Sequence, residues 1–159
     1  MGQSDHCPCG NQQTYQDCCA KYHQGDLAPS PELLMRSRYA AYALGHMDYI
    51  KRTMRGQPLA DFNEHAVGTW AQSVEWLGLL VLDIETVSAK LGYVTFKAHY
   101  MAQGVQQTIH ERSEFRCYDG QWFYVAGVHN PLPKKQLGRN DLCFCGSQKK
   151  FKYCHGQNS

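Results

Sequence analysis

Apolar and polar positions follow two periods along the chain. Over about residues 30–53, Leu33, Leu34, Tyr39, Tyr42, Ala43 and Met47 recur at helical spacing, which predicts one helix. Ser30 suits its N-cap and Pro31 its first position. Gly56 and Pro58 end it. A shorter helix is predicted over residues 61–71, from the spacing of Phe62, Ala66 and Trp70. The period then changes to two. Residues 76–88, 92–102, 106–118 and 121–128 read as strands, and Asp119-Gly120 reads as a hairpin turn. Helices followed by an antiparallel meander predict an α+β fold, a curved antiparallel sheet packed on helices.

Alternation in the third predicted strand raises a question of chemistry. Ile109, Glu111, Ser113 and Phe115 share one face, and His110, Arg112, Glu114 and Arg116 share the other. If Ile109 and Phe115 face the core, Glu111 and Ser113 face it too. A buried carboxylate needs a partner. Arg36 or Arg38 could supply one from the first helix, with Tyr39, Tyr42 and His99 as further candidate donors. Two readings stay open. Glu111 is a pocket base or ligand anchor, or it forms a buried pair with arginine that fixes sheet to helix. Trp70, Trp76 and Trp122 read as core residues, and Cys117 as an ordinary thiol.

The cysteines change the picture at the ends. Seven of eight fall in two terminal clusters. Residues 7–19 and 143–155 both read C-x-C-G-x7-C-[CH]. Gly10 matches Gly146, and Tyr15 matches Phe151. Clustering of this kind points to metal rather than a disulfide scaffold. Each copy offers a tetrahedral set: Cys7, Cys9, Cys18 and Cys19 in front, and Cys143, Cys145, Cys154 and His155 behind. Two zinc ions are therefore expected, in closed structural sites. The amides of Gly10 and Gly146 are expected to point at thiolate sulfur, and the last two ligands to end a short helix. Leu27-Ala28-Pro29-Ser30-Pro31 and Asn130-Pro131-Leu132-Pro133 mark the boundaries. The expected division is a front knuckle at 1–28, a central domain at 29–133 and a rear knuckle at 134–159.

Charge adds little. The formal net charge of +2 falls close to neutral once thiolates and zinc are included, so it favours no class of partner. No apolar run approaches the roughly 20 residues of a membrane span, and no leader pattern precedes Cys7. The expected location is the cytoplasm, without membrane insertion.

Residues 138–156, Gly-Arg-Asn-Asp-Leu-Cys-Phe-Cys-Gly-Ser-Gln-Lys-Lys-Phe-Lys-Tyr-Cys-His-Gly, closely resemble the SEC-C motif, the zinc tail of the protein-export motor SecA. That resemblance implies docking on a SecB-like chaperone or on the ribosome. The front copy is similar but has Cys19 in place of the histidine and Gln13-Thr14 in place of the basic pair Lys149-Lys150. Taken with residues 34–42, 110–115 and 119–124, the chain resembles the YchJ family of small bacterial proteins. This resemblance implies a nuclear transport factor two-like (NTF2-like) cone in the middle.

Three functions follow as expectations. The first is a zinc-binding interaction protein docking through its knuckles. The second is a small-molecule-binding or enzymatic central domain with a pocket around Glu111. The third is nucleic-acid binding through Lys134, Lys135, Arg139, Lys149, Lys150 and Lys152. No nucleophile–base spacing, phosphate loop or dinucleotide fingerprint is present, so an enzyme is not the leading expectation. The sheet face is a candidate homodimer surface.

Overall fold

The computed structural model describes residues 6–131. The rear cluster of Cys143, Cys145, Cys154 and His155 lies outside them, as do the basic residues of the rear knuckle.

Among the described residues, five helices and four strands follow in order: α1 (Ala20–His23), α2 (Pro31–Leu44), α3 (Met47–Arg52), α4 (Gln57–Ala60), α5 (Glu64–Ser73), β1 (Glu75–Ser88), β2 (Leu91–Ala102), β3 (Val105–Tyr118) and β4 (Gln121–His129). Ser30 caps α2 as expected, its hydroxyl accepting from the Leu33 amide at 3.2 Å. The single helix expected over 30–53 is in fact two. Gly45 adopts φ +84° and donates its amide to Ala41 O at 2.9 Å, which closes α2 before α3 begins. A left-handed residue after a helix is the usual glycine stop. Asn63 caps α5 by accepting from the Ala66 amide.

The strands form one antiparallel sheet in the order β1-β2-β3-β4. Asp119 and Gly120 both have positive φ, as a tight hairpin turn requires. Register shifts interrupt β1 three times and the β3–β4 pairing once, between Glu114 and Phe115. Bulges bend and twist strands, so the sheet curls around the helices. Helix α2 lies in the concavity and touches β1, β2 and β4. Leu34, Ile50, Val94 and Phe115 are fully buried between the layers. On the outer face Arg112 bonds Glu85 at 2.7 Å and stacks 3.7 Å over the Tyr93 ring, while β1 leaves Leu77, Leu80 and Leu82 exposed.

Packing is close where α2 begins. A Cβ at Gly92 would stand 2.8 Å from Pro31 Cγ. Farther along, helices and sheet diverge and leave a cavity of about 390 Å³.

Candidate metal centre and central cavity

The front module is a small hairpin followed by a helical turn. His6 pairs with Thr14, and the Cys7 amide donates to Gln13 O at 2.9 Å. This hairpin presents Cys7 and Cys9; the turn before α1 presents Cys18 and Cys19. The adjacent pair therefore precedes a helix rather than ending one. All four residues are buried, and their sulfurs lie within 4.8 Å of one another. None of the four is in a disulfide.

Those spacings test the donor set. Zn–S bonds of about 2.3 Å in a tetrahedron put sulfurs roughly 3.8 Å apart. Cys9 Sγ lies 3.6 Å from Cys18 Sγ, and Cys18 Sγ lies 3.8 Å from Cys19 Sγ. A disulfide would need about 2.05 Å. The residues thus fit a metal bound by four thiolates, and they would supply no open position for a substrate.

Electrostatics point the same way. Hydrogen bonds from the Cys19 and Cys9 thiols pull Cys7 down to about 2. A bond from Cys19 also favours the Cys9 thiolate, but the bond that Cys9 gives to Cys7, with burial, outweighs it and pushes Cys9 up to about 12. Cys19 is pushed up as donor to Cys7 and Cys9 and by burial. One buried negative charge suppresses its neighbours, so the full thiolate set requires a cation.

The amide of Gly10 does not serve sulfur. With φ +91° it donates to Cys7 O at 3.3 Å. Asn11 takes that role instead, its side-chain amide reaching Cys18 Sγ at 3.7 Å and its backbone amide favouring the Cys9 thiolate. Tyr15 packs against the cluster, as Ala40 of α2 does.

Side chains of Arg36, Arg52 and His23 bind this module to the central domain. Arg36 Nη1 donates to Cys9 O at 2.9 Å. Arg52 Nη2 donates to Tyr22 O and His23 O. His23 Nε2–H donates to Ser37 O at 2.8 Å, which leaves Nδ1 to accept from Tyr15 Oη at 2.6 Å. The Nδ1 acceptor role requires the neutral ring; burial lowers its pKa, which outweighs the Ser37 bond that favours the charged ring. The folded value lies below the unfolded value of about 6.5. This stabilisation is therefore complete above about pH 6.5 and declines as pH falls below it. The melting temperature of the wild type should drop more steeply between pH 7 and pH 5 than that of His23→Gln, which cannot titrate. Parallel slopes in thermal melts of the two proteins would contradict this role.

The cavity lies on the opposite side of α2. Glu111 and Ser113 line it, as do Arg38, Tyr39 and Tyr42. Arg36 and His99 do not. Arg36 faces the front module, and His99 stands on the outer sheet face, bonded to Thr108 at 2.8 Å. Nor do Glu111 and Arg38 form the expected pair. Arg38 Nη1 donates to Ile50 O and Thr53 Oγ1, at 2.9 and 2.7 Å, tying α2 to α3. Its guanidinium stacks 4.8 Å from the centre of the Tyr124 ring. Glu111 Oε2 instead accepts from Ser113 Oγ at 2.5 Å. Among the described residues, its Oε1 has only long contacts, with Tyr124 Oη and His129 Nε2, each at 3.4 Å.

Trp70 and Trp76 line the cavity too, whereas Trp122 packs against the core elsewhere. Cys117 is half-buried, opposite Trp122. Sequence reasoning missed Tyr124, His129 and Gly127. A Cβ at Gly127 would meet Tyr124 Oη at 2.5 Å and Glu111 Oε1 at 2.7 Å, so bare backbone makes room for this carboxylate.

Residues 30–127 match the family described as the YchJ middle NTF2-like domain, and residues 139–157 match the SEC-C motif. A UPF0225 protein of Shewanella sp. strain MR-4 is 44% identical, over 97% of this chain and 98% of its own. The chain belongs to the YchJ (UPF0225) family. A UPF0225 protein of Enterobacter sp. strain 638 is 40% identical over 95% of this chain and 97% of its own. Among solved structures, a SEC-C motif containing protein from Rhodopseudomonas palustris superposes with a TM-score of 0.70 at 39% identity, covering 77% of this chain and 96% of that one. A second, from Psychrobacter arcticus, has a TM-score of 0.67 at 29% identity and covers 96% of both chains. The YchJ chain thus has an NTF2-like middle domain, a cysteine cluster compatible with metal in front and a SEC-C motif behind. No helix among the described residues is long and apolar enough to cross a membrane.

Proposed function

We propose that this protein is a cytoplasmic zinc-binding interaction protein that carries two zinc ions and docks through its SEC-C knuckle. The observation that carries the reading is the cluster of four buried sulfurs within 4.8 Å. The SEC-C match over residues 139–157 supports a second site at Cys143, Cys145, Cys154 and His155.

The two knuckles differ in task. The front one is packed on α2 and α3 by Arg36, Arg52 and His23, with its sulfurs buried. It stabilises the central domain. The rear one carries Lys149, Lys150 and Lys152, absent from the front copy. It presents a basic surface to a protein or ribosomal partner, in the manner of the SecA tail that it resembles.

The test has two parts. Elemental mass spectrometry of purified protein should find two zinc ions per chain, falling to one in a Cys154→Ser/His155→Ala variant. Zinc-loaded protein should then bind purified export chaperone or ribosomes, with loss on chelation or in Lys149→Glu/Lys150→Glu. Absence of zinc would overturn the metal assignment. Binding that ignores both chelation and charge reversal would overturn the docking assignment.

A further inference from the structure

The central cavity combines three features that select for one kind of occupant. It is a partly open pocket of about 390 Å³, within the range that holds small organic ligands. Its lining carries the Glu111 carboxylate, only 8% exposed. Its walls include an aromatic group in which Trp76 meets Tyr39 at 5.6 Å, Tyr42 at 6.1 Å and Trp70 at 5.5 Å between ring centres.

The carboxylate is held but not used up. Ser113 fixes Oε2, while among the described residues Oε1 has only its two contacts at 3.4 Å. A carboxylate oxygen accepts two good hydrogen bonds, so Oε1 retains capacity for a donor from the cavity. Arg38 does not cancel this charge directly, because its Nη1 bonds point to α3 and its guanidinium lies against the Tyr124 ring. Burial pushes the Tyr39 phenol up to about 12 and raises Tyr124 as well, so both rings stay neutral. Neutral aromatic faces attract cations. An anion would meet Glu111 at close range, and a purely apolar guest would seal off an under-bonded carboxylate.

We propose that the cavity binds a compact organic cation, a primary amine or ammonium whose nitrogen meets Glu111 Oε1 and whose apolar body lies against Trp70, Trp76 and Tyr42. This site is distinct from the front cysteine cluster and needs no metal for recognition. Gly127 belongs to it, since any side chain there would displace the carboxylate from its seat.

Three probes that share one body separate charge from shape: 2-phenylethylamine, 2-phenylethanol and phenylacetate. Each is titrated at pH 7 into full-length, zinc-loaded protein, read by tryptophan fluorescence and by nitrogen–proton NMR shifts. The amine should bind at least about tenfold more tightly than the alcohol, the gain expected of a desolvated cation beside a carboxylate and aromatic faces. Phenylacetate should not bind. Glu111→Gln keeps an acceptor for Ser113 and should lose the preference for amine over alcohol while its melting temperature stays close to wild type. Trp70→Leu, at the partly exposed rim, gives a second reading and should weaken the amine more than the alcohol. If none of the three probes binds, if the carboxylate or alcohol binds as well as the amine, or if Glu111→Gln keeps the preference, the proposal is overturned. None of these outcomes bears on zinc content or docking.

Discussion

Cys9→Ser is expected to strip the front cluster of its metal and to lower stability by roughly 4–5 kcal/mol, the range reached when a structural metal is lost. Cys9 is fully buried, and its sulfur lies 3.6 Å from that of Cys18. A hydroxyl is a poor substitute for a thiolate on a soft metal site. Three sulfurs would then share a buried space with no cation to balance their charge. Elemental analysis should show one ion fewer per chain, and a thermal melt should show the front module loosening from α2. The Arg36 bond goes to Cys9 backbone oxygen, so its loss in the variant would report displacement of the module rather than the substitution itself. An unchanged metal content or an unchanged melt would contradict this account.

Phe115→Ala should cost about 3–5 kcal/mol, as buried phenylalanine truncations do. Phe115 is 1% exposed. It stands opposite Gly92 on β2 and edge-on to Tyr124 at 6.0 Å. No neighbour can fill its place cheaply: a glycine offers no side chain, and Tyr124 is held between Arg38 and Glu111. The melting temperature should fall by about 10 °C for a chain of this size. Metal content should not change. Calorimetry with parallel metal analysis checks both, and a loss below about 1 kcal/mol would show that the site collapses around the gap. The two variants thus separate the metal support from the packed core.

Much of the fold was legible because its signals are local. Alternation in β3 placed Glu111 and Ser113 on the inner face, and the C-x-C-G spacing brought four sulfurs together. The errors have physical causes. Residues two apart on a helix point to nearly opposite sides, so Arg36 and Arg38 could never both reach the cavity. His99 follows Val94, Phe96 and Ala98 at odd offset, and parity alone sends it outward. Gly45 lay hidden because apolar spacing continued across it into α3. Tyr124 and His129 were not recoverable by pattern. They are five residues apart, yet both face the cavity, which only the register shift in β4 permits.

Helix α2 touches the sulfur cluster through Arg36 and Ala40 and the cavity through Arg38, Tyr39 and Tyr42. It is a single stiff rod of 14 residues. Whatever free energy metal spends holding that rod in place also sets the positions of the cavity wall. Thermodynamic reciprocity then applies: the factor by which metal alters the affinity for a guest equals the factor by which the guest alters the affinity for metal. A chain stripped of its front ion would register that loss as a change in what its interior accepts.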